Sequence, residues 1–295
     1  MRVLLAGATG YVGSAAAGAV REAGHEVVGL ARSDGAAARL EAAGLPVRRG
    51  DLADPGSVAG AVAGAEAVVH AAALAGEADA AAVRAVLAML EGTGRTFVYV
   101  SGAWVLGNTG DTVADEDAPT DPAALVAWRP AVEREVIAAA GRGVRSVVVR
   151  PAVVYGRGGG IPATLVRSAR RKGVARFVGD GRQRWSFVHV DDLADLLALA
   201  LEAPAGTLLN AAAGPALPAR EVAEAAAEPV GARVEAWPLD AARATLGAFA
   251  DALALDQQVS GDRARTLLGW RPHRPDVLRE LREGSYSVAD DAPPP

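Results

Sequence analysis

Gly7, Gly10 and Gly13 recur at three-residue intervals in AGATGYVGSAAAGAV, between a short apolar run and an Ala-rich helical pattern. Glycine is required where a turn is tight, where backbone must approach a pyrophosphate, and where a helix packs closely on a strand. The helix N-terminus that follows then faces the anion. Thr9, Tyr11 and Val12 complete this loop and are assigned to the same ligand. Further on, Arg32 and Ser33 in GLARSDG stand after a second apolar run, where a cation would favour a 2′-phosphate over plain ribose hydroxyls. The alternative for Arg32 is an exposed loop arginine, and Asp34 beside it counts against the phosphate. His25, His70, His189 and His273 lack metal-ligand spacing, and there is no cysteine, so no metal site is expected.

Such groups need a scaffold, and the pattern supplies one. Short apolar runs at RVLLAG, HEVVGLA, PVRRG, AVVHAA, TFVYVS and RSVVVRP read as strands, with helices at about 11–24, 34–44, 55–64, 77–93 and 122–140 between them. Alternating β and α units predict a doubly wound α/β fold on a parallel sheet. Residues 1–155 are read as a Rossmann dinucleotide-binding domain, with 191–214 returning to the sheet. Residues 156–288 are read as a smaller α/β cap for substrate, and 289–295 as a disordered tail.

A chain of 295 residues that is 51% apolar can bury a sizeable core. Net charge is −5 with no basic stripe or polybasic segment, so nucleic-acid and membrane partners are not expected, and a small-molecule substrate is. The opening MRVLLAGATG is interrupted by glycines too early for a signal peptide, and a cytoplasmic protein is expected. A homodimer is an open possibility, with the helix carrying Arg129 as a candidate surface.

The glycine spacing, together with RGDLAD, HAAA, VVRPAVVYGRGGG, GDGRQRWSFVHVDDLADLLALAL and LLGWRP, resembles the short-chain dehydrogenase/reductase superfamily over nearly the whole chain. The form it resembles is the extended one that includes NAD-dependent epimerases and dehydratases. The resemblance implies that Asp51 and Leu52 lie beside adenine, although a helix cap by Asp51 or Asp54 is an equally simple reading. It implies that the backbone of His70, Ala71, Ala72 and Ala73 runs along the cofactor, and that Pro151, Val153 and Val154 line the nicotinamide.

What the resemblance does not supply is the catalytic set. The family uses a serine and a Tyr-x-x-x-Lys helix, whereas Lys172 is the sole lysine here and the tyrosines are Tyr11, Tyr99, Tyr155 and Tyr286. Alignment puts Gly102 at the serine position, Leu125 at the tyrosine and Arg129 at the lysine. Arg129 is then a remnant that binds ribose hydroxyls. Tyr155, or Ser101 as a donor to a carbonyl oxygen, is the candidate catalytic group; water or the substrate itself is the alternative proton source.

Trp104, Trp128, Trp185 and Tyr155 are expected to shape an aromatic or hydrophobic substrate pocket, with core filling an equal alternative for the tryptophans. The implied activity is an NADP(H)-preferring oxidoreductase, with NAD(H) possible, acting on a small hydrophobic carbonyl, imine or activated alkene. The alternatives are a non-redox isomerase, cyclase or lyase with a structural dinucleotide, and an NmrA-like nucleotide sensor.

Overall fold

The computed structural model describes residues 1–286, and the expected disordered tail lies outside them. In chain order the first elements are β1 (Arg2–Ala6), α1 (Tyr11–Glu22), β2 (Glu26–Ala31), α2 (Asp34–Ala42), β3 (Val47–Arg49), α3 (Pro55–Val62) and β4 (Ala67–His70). There follow α4 (Gly76–Leu90), β5 (Thr96–Val100), β6 (Val113–Ala114), α5 (Arg129–Ala138), β7 (Arg145–Pro151), β8 (Val153–Gly156) and α6 (Gly160–Lys172). The second half continues with β9 (Val174–Val178), β10 (Arg184–Trp185), β11 (Phe187–His189), α7 (Val190–Ala200), β12 (Thr207–Ala211), β13 (Leu217–Pro218), α8 (Ala219–Ala227), β14 (Arg233–Trp237) and β15 (Gln258–Val259).

Seven strands form the central parallel sheet in the order β12-β7-β5-β4-β1-β2-β3. Side chains alternate across it as strand geometry demands. Val3 and Leu5 of β1 join Ala16, Leu40 and Leu197 of α1, α2 and α7 on one face. Leu4 and Ala6 join Val58, Val86 and Val136 of α3, α4 and α5 on the other. Burial on both faces explains why these strands read as near-continuous apolar runs. The strand order reverses between β1 and β4, which opens a crevice at their carboxyl ends, the usual ligand position in such sheets.

The chain leaves this sheet after β7 and returns to it at β12, which pairs in parallel with β7 from Thr207↔Val147 to Ala211↔Pro151. Between them β8 pairs with β11; β9 pairs with β14, which follows β12, and Phe177, Trp185 and Phe187 join Val222 of α8 in a separate apolar cluster. The region expected to be a single strand, WSFVHV, is divided into β10 and β11 at Ser186, whose hydroxyl accepts from Val259 N at 2.9 Å. The helix expected over 122–140 begins only at Arg129, after a 3₁₀ turn at Ala124–Val126. Pro130 in its first turn suits that start, since a proline there costs no intrahelical bond. Among the described residues no helix is long and apolar enough to cross a membrane.

Candidate functional site

Two connected needs of a dinucleotide are met at the crevice. The first is a backbone cradle. Gly7 has φ +84°, and a Cβ there would lie 2.5 Å from Ala71 O. At Gly13 a Cβ would lie 2.1 Å from Gly7 O, so only glycine lets α1 approach the loop this closely. Gly10 is the N-cap of α1 and offers no side chain to cap it. The first-turn N–H groups, which no helix can satisfy internally, are thereby left for an anion.

The second is a groove of about 250 Å³ beside it, lined by Gly7, Thr9, Arg32, Ser33, Arg39, Asp51, Leu52, Ala72 and Ala73 among others. The sequence assignments at Thr9, Arg32, Ser33, Asp51, Leu52, Ala72 and Ala73 therefore converge on one place. Ser33 also caps α2, accepting from Ala36 N at 3.2 Å. Asp34, the residue that weighed against a phosphate site, is paired with Arg49 at 2.7 Å. Arg32 and Arg39 are exposed and make no side-chain bond within the described residues. Of the two caps weighed, Asp54 is the one that caps α3, bonding Gly56 N at 3.0 Å, while Asp51 closes a turn onto Ala53 N at 2.9 Å.

The assignment of His70 concerned its backbone; its ring is a buried core group, with Nε2 bonded to Asp79 Oδ1 at 2.9 Å. Ala71 likewise supports the loop through its contact with Gly7 and does not line the groove. Asp79 also accepts from Tyr99 OH at 2.5 Å and from Trp128 Nε1 at 3.0 Å. These donors outweigh its burial and hold its carboxyl below the usual range, although burial alone would raise it.

A larger cavity of about 510 Å³ continues from the loop across the sheet's end. Tyr11 and Val12 form one side, Pro151, Val153 and Val154 another, and Trp104, Leu125, Trp128 and Ile161 give an apolar wall. Arg129 is its charged member, and Ser101 and Tyr11 bear its hydroxyls. Arg129 reaches under the strand end to donate from Nη1 to Val100 O at 3.0 Å, with its guanidinium against the Trp128 ring. Its buried Nε has no partner among the described residues.

Tyr155 and Trp185 do not belong to this cavity. The Tyr155 phenol is turned toward the C-terminal half, donating to Pro275 O at 2.7 Å, and its ring packs on Phe187 and His189. Burial raises its pKa above the ordinary tyrosine value, further from proton transfer. Val153 and Val154 both border the cavity, and Tyr155, one residue further along β8, packs into the cap's apolar cluster instead. Trp185 fills the cap core and donates to Leu253 O at 3.2 Å, the core-filling alternative.

Ser101 lines the cavity as expected, but not as a donor into it. Its hydroxyl bonds Glu133 Oε1, and Glu133 is gripped by Arg150 through Nη2 at 2.6 Å and Nε at 3.0 Å. Sequence reasoning passed over Glu133, Arg150, Asp79 and Arg39. The available signal was spacing, since Glu133 lies four residues beyond Arg129 and so shares its helix face.

Residues 3–212 match the model of the NAD dependent epimerase/dehydratase family. The chain is 31% identical over 300 residues to an uncharacterised protein of Schizosaccharomyces pombe, covering 97% of this chain and 100% of that one. It is 31% identical over 255 residues to 2-alkyl-3-oxoalkanoate reductase of Stenotrophomonas maltophilia (79% of this chain, 76% of that one). Identity is again 31%, over 300 residues, to 3-diazoavenalumate denitrifying reductase of a Streptomyces species (93% and 97%). In fold it is similar to UDP-glucose 4-epimerase of Thermus thermophilus in complex with NAD, at TM-score 0.81 and 23% identity over 98% of this chain and 100% of that one.

Proposed function

Since the chain belongs to the NAD-dependent epimerase/dehydratase family and is an NAD(P)-dependent enzyme, we propose that it is an NADP(H)-preferring oxidoreductase for a small hydrophobic or aromatic substrate at the carbonyl, imine or activated-alkene level. The observation that carries this reading is the apolar cavity, walled by Trp104, Leu125, Trp128 and Ile161, that adjoins the glycine cradle. A sugar substrate would need many polar partners, and this wall supplies few. The two named reductases among its relatives support a redox reading over a purely structural dinucleotide.

Residues 1–155 with 191–214 serve as the dinucleotide-binding unit and 156–288 as the substrate cap. The cradle of Gly7, Gly10 and Gly13 holds the pyrophosphate on the N-terminus of α1. Asp51 and Leu52 take the adenosine side, Arg129 the ribose beside the nicotinamide, and Arg32 with Arg39 the 2′-phosphate. When bound, the dinucleotide supplies hydride transfer at its nicotinamide. Trp104 and Trp128 orient a flat apolar substrate and exclude water. No tyrosine–lysine pair is available to move a proton, so substrates that are already activated are favoured. The helix pair α4 and α5 is the candidate surface for a homodimer.

Titration with NADPH and NADH tests the cofactor reading. NADPH should bind at least tenfold tighter, about 1.4 kcal/mol, and Arg32→Ala should erase most of that preference. A screen of aromatic ketones, imines and conjugated alkenes for NADPH oxidation tests the chemistry. Tight binding of NADPH without turnover on any of them would favour a non-redox or sensing role instead.

A further inference from the structure

Ser101 stands at the cavity wall with its hydroxyl already committed. Its partner Glu133 is 1% exposed and paired with Arg150, itself 4% exposed. A carboxylate held this way has only acceptors to offer, so the hydrogen in the Ser101–Glu133 bond belongs to serine. What remains for a ligand is the lone pairs of Oγ. Other polar groups on the lining share this sense. Tyr11 OH donates away to Gly156 O at 2.8 Å, and Trp128 Nε1 to Asp79. The Gln257 amide gives its hydrogens to Ala103 O and Gly107 O, both at 2.9 Å, which leaves its carbonyl oxygen. Arg129 and the Trp104 indole are the lining side chains that still hold donors.

A ketone oxygen brought against Ser101 would set lone pair against lone pair and leave both unpaired on a largely apolar lining, a costly arrangement. A hydroxyl, amine or iminium N–H would complete the bond. We infer that Ser101 is a hydrogen-bond acceptor toward the substrate, with Glu133 as the positioning residue that fixes this sense. The cavity then selects a compound bearing O–H or N–H at its reacting carbon: an alcohol, amine or iminium in preference to a ketone. This rests on the reading of the cavity as the substrate site.

Benzamide and acetophenone test it, because they match in shape and differ in whether the group beside the carbonyl is NH₂ or CH₃. Binding is measured by ligand-observed NMR titration on protein saturated with NADP⁺. Benzamide should bind at least about fivefold tighter, the worth of one neutral hydrogen bond. In Ser101→Ala, which keeps the Glu133–Arg150 pair, the two should bind alike. In Glu133→Gln the new amide can donate to Oγ and release the serine hydrogen, so the preference should shift toward acetophenone, whereas a merely structural Glu133 would weaken both equally. Should Glu133→Gln not fold, Ser101→Ala decides alone. Equal binding by the native protein, or a preference unchanged in Ser101→Ala, overturns the inference. Failure of both compounds to bind while NADP⁺ does removes the cavity reading together with it.

Discussion

Gly13→Ala is the sharpest probe of the cradle. Unlike Gly7, Gly13 has no left-handed backbone, so a methyl group there brings no backbone strain, and its steric clash is set against the same helix-propensity gain that applies at Gly18. The added Cβ would sit 2.1 Å from Gly7 O and 2.7 Å from Gly7 C, where real contacts essentially never fall below 3.0 Å. The gap is at least 3.0 − 2.1 = 0.9 Å, and both neighbours are backbone that no rotamer change can move. Either α1 retreats or the loop opens. Overpacking of this kind costs about 1–3 kcal/mol of stability. The same displacement lifts the first-turn N–H groups off the pyrophosphate, and loss of even one bond to a charged group, worth about 1.5–3 kcal/mol, lowers dinucleotide affinity by at least tenfold.

The control lies one turn further along the same helix. Gly18 is exposed and a Cβ there meets nothing within 4 Å, so Gly18→Ala should stabilise by about 1 kcal/mol through helix propensity and leave affinity unchanged. Thermal unfolding with and without NADPH, and calorimetric titration, read both effects. If Gly13→Ala melts with Gly18→Ala and binds NADPH like the native protein, the close packing of loop on helix is wrong.

Three other outcomes follow. Arg129→Ala should weaken dinucleotide binding measurably in a fluorescence titration, while Leu125→Ala should not, because Leu125 only rims the apolar wall. Tyr155→Phe should cost about 1 kcal/mol of stability by losing its bond to Pro275 O, and should lower turnover by far less than the ~10²-fold expected from removing a general acid. His189, whose Nδ1 accepts from Asp191 N at the start of α7, is held neutral because burial lowers its pKa. Its contribution to stability is therefore complete above the unfolded value of 6.5 and is lost as pH falls toward the depressed folded one. Denaturation midpoints between pH 7.5 and 5 should drop less steeply in His189→Asn, which keeps a helix cap without a titrating ring.

The parts of the fold that rest on periodicity were legible from sequence. Strands buried on both faces, such as Ala67–His70, announce themselves as apolar runs, and a glycine that touches backbone cannot be replaced quietly. Side-chain direction on short elements was not legible. Tyr155 and Val154 are neighbours on a four-residue strand, and nothing local says which of them faces the cavity. Partnership across the fold was hidden as well. Glu133, Arg150 and Ser101 come from α5, β7 and the residue just after β5, and meet only once β5 and β7 are side by side. Asp79 gave a weak cue, as an acid on the same helical stripe as Val83 and Val86, where burial without donors would be untenable.

The excursion between β7 and β12 has a mechanical consequence. Everything from Ala152 to Gly206 is strung between two strands that are hydrogen-bonded neighbours, so the part of the cap that holds β8, β9 and β11 is tied to the sheet at both ends, while α8 and β14 follow β12. The β7–β12 ladder is where both of those ends meet the sheet. Occupancy of the cavity should accordingly be felt at the far edge of the sheet, as slower amide exchange along Thr207–Ala211, more than at β2 and β3, which lie beyond the β1–β4 seam.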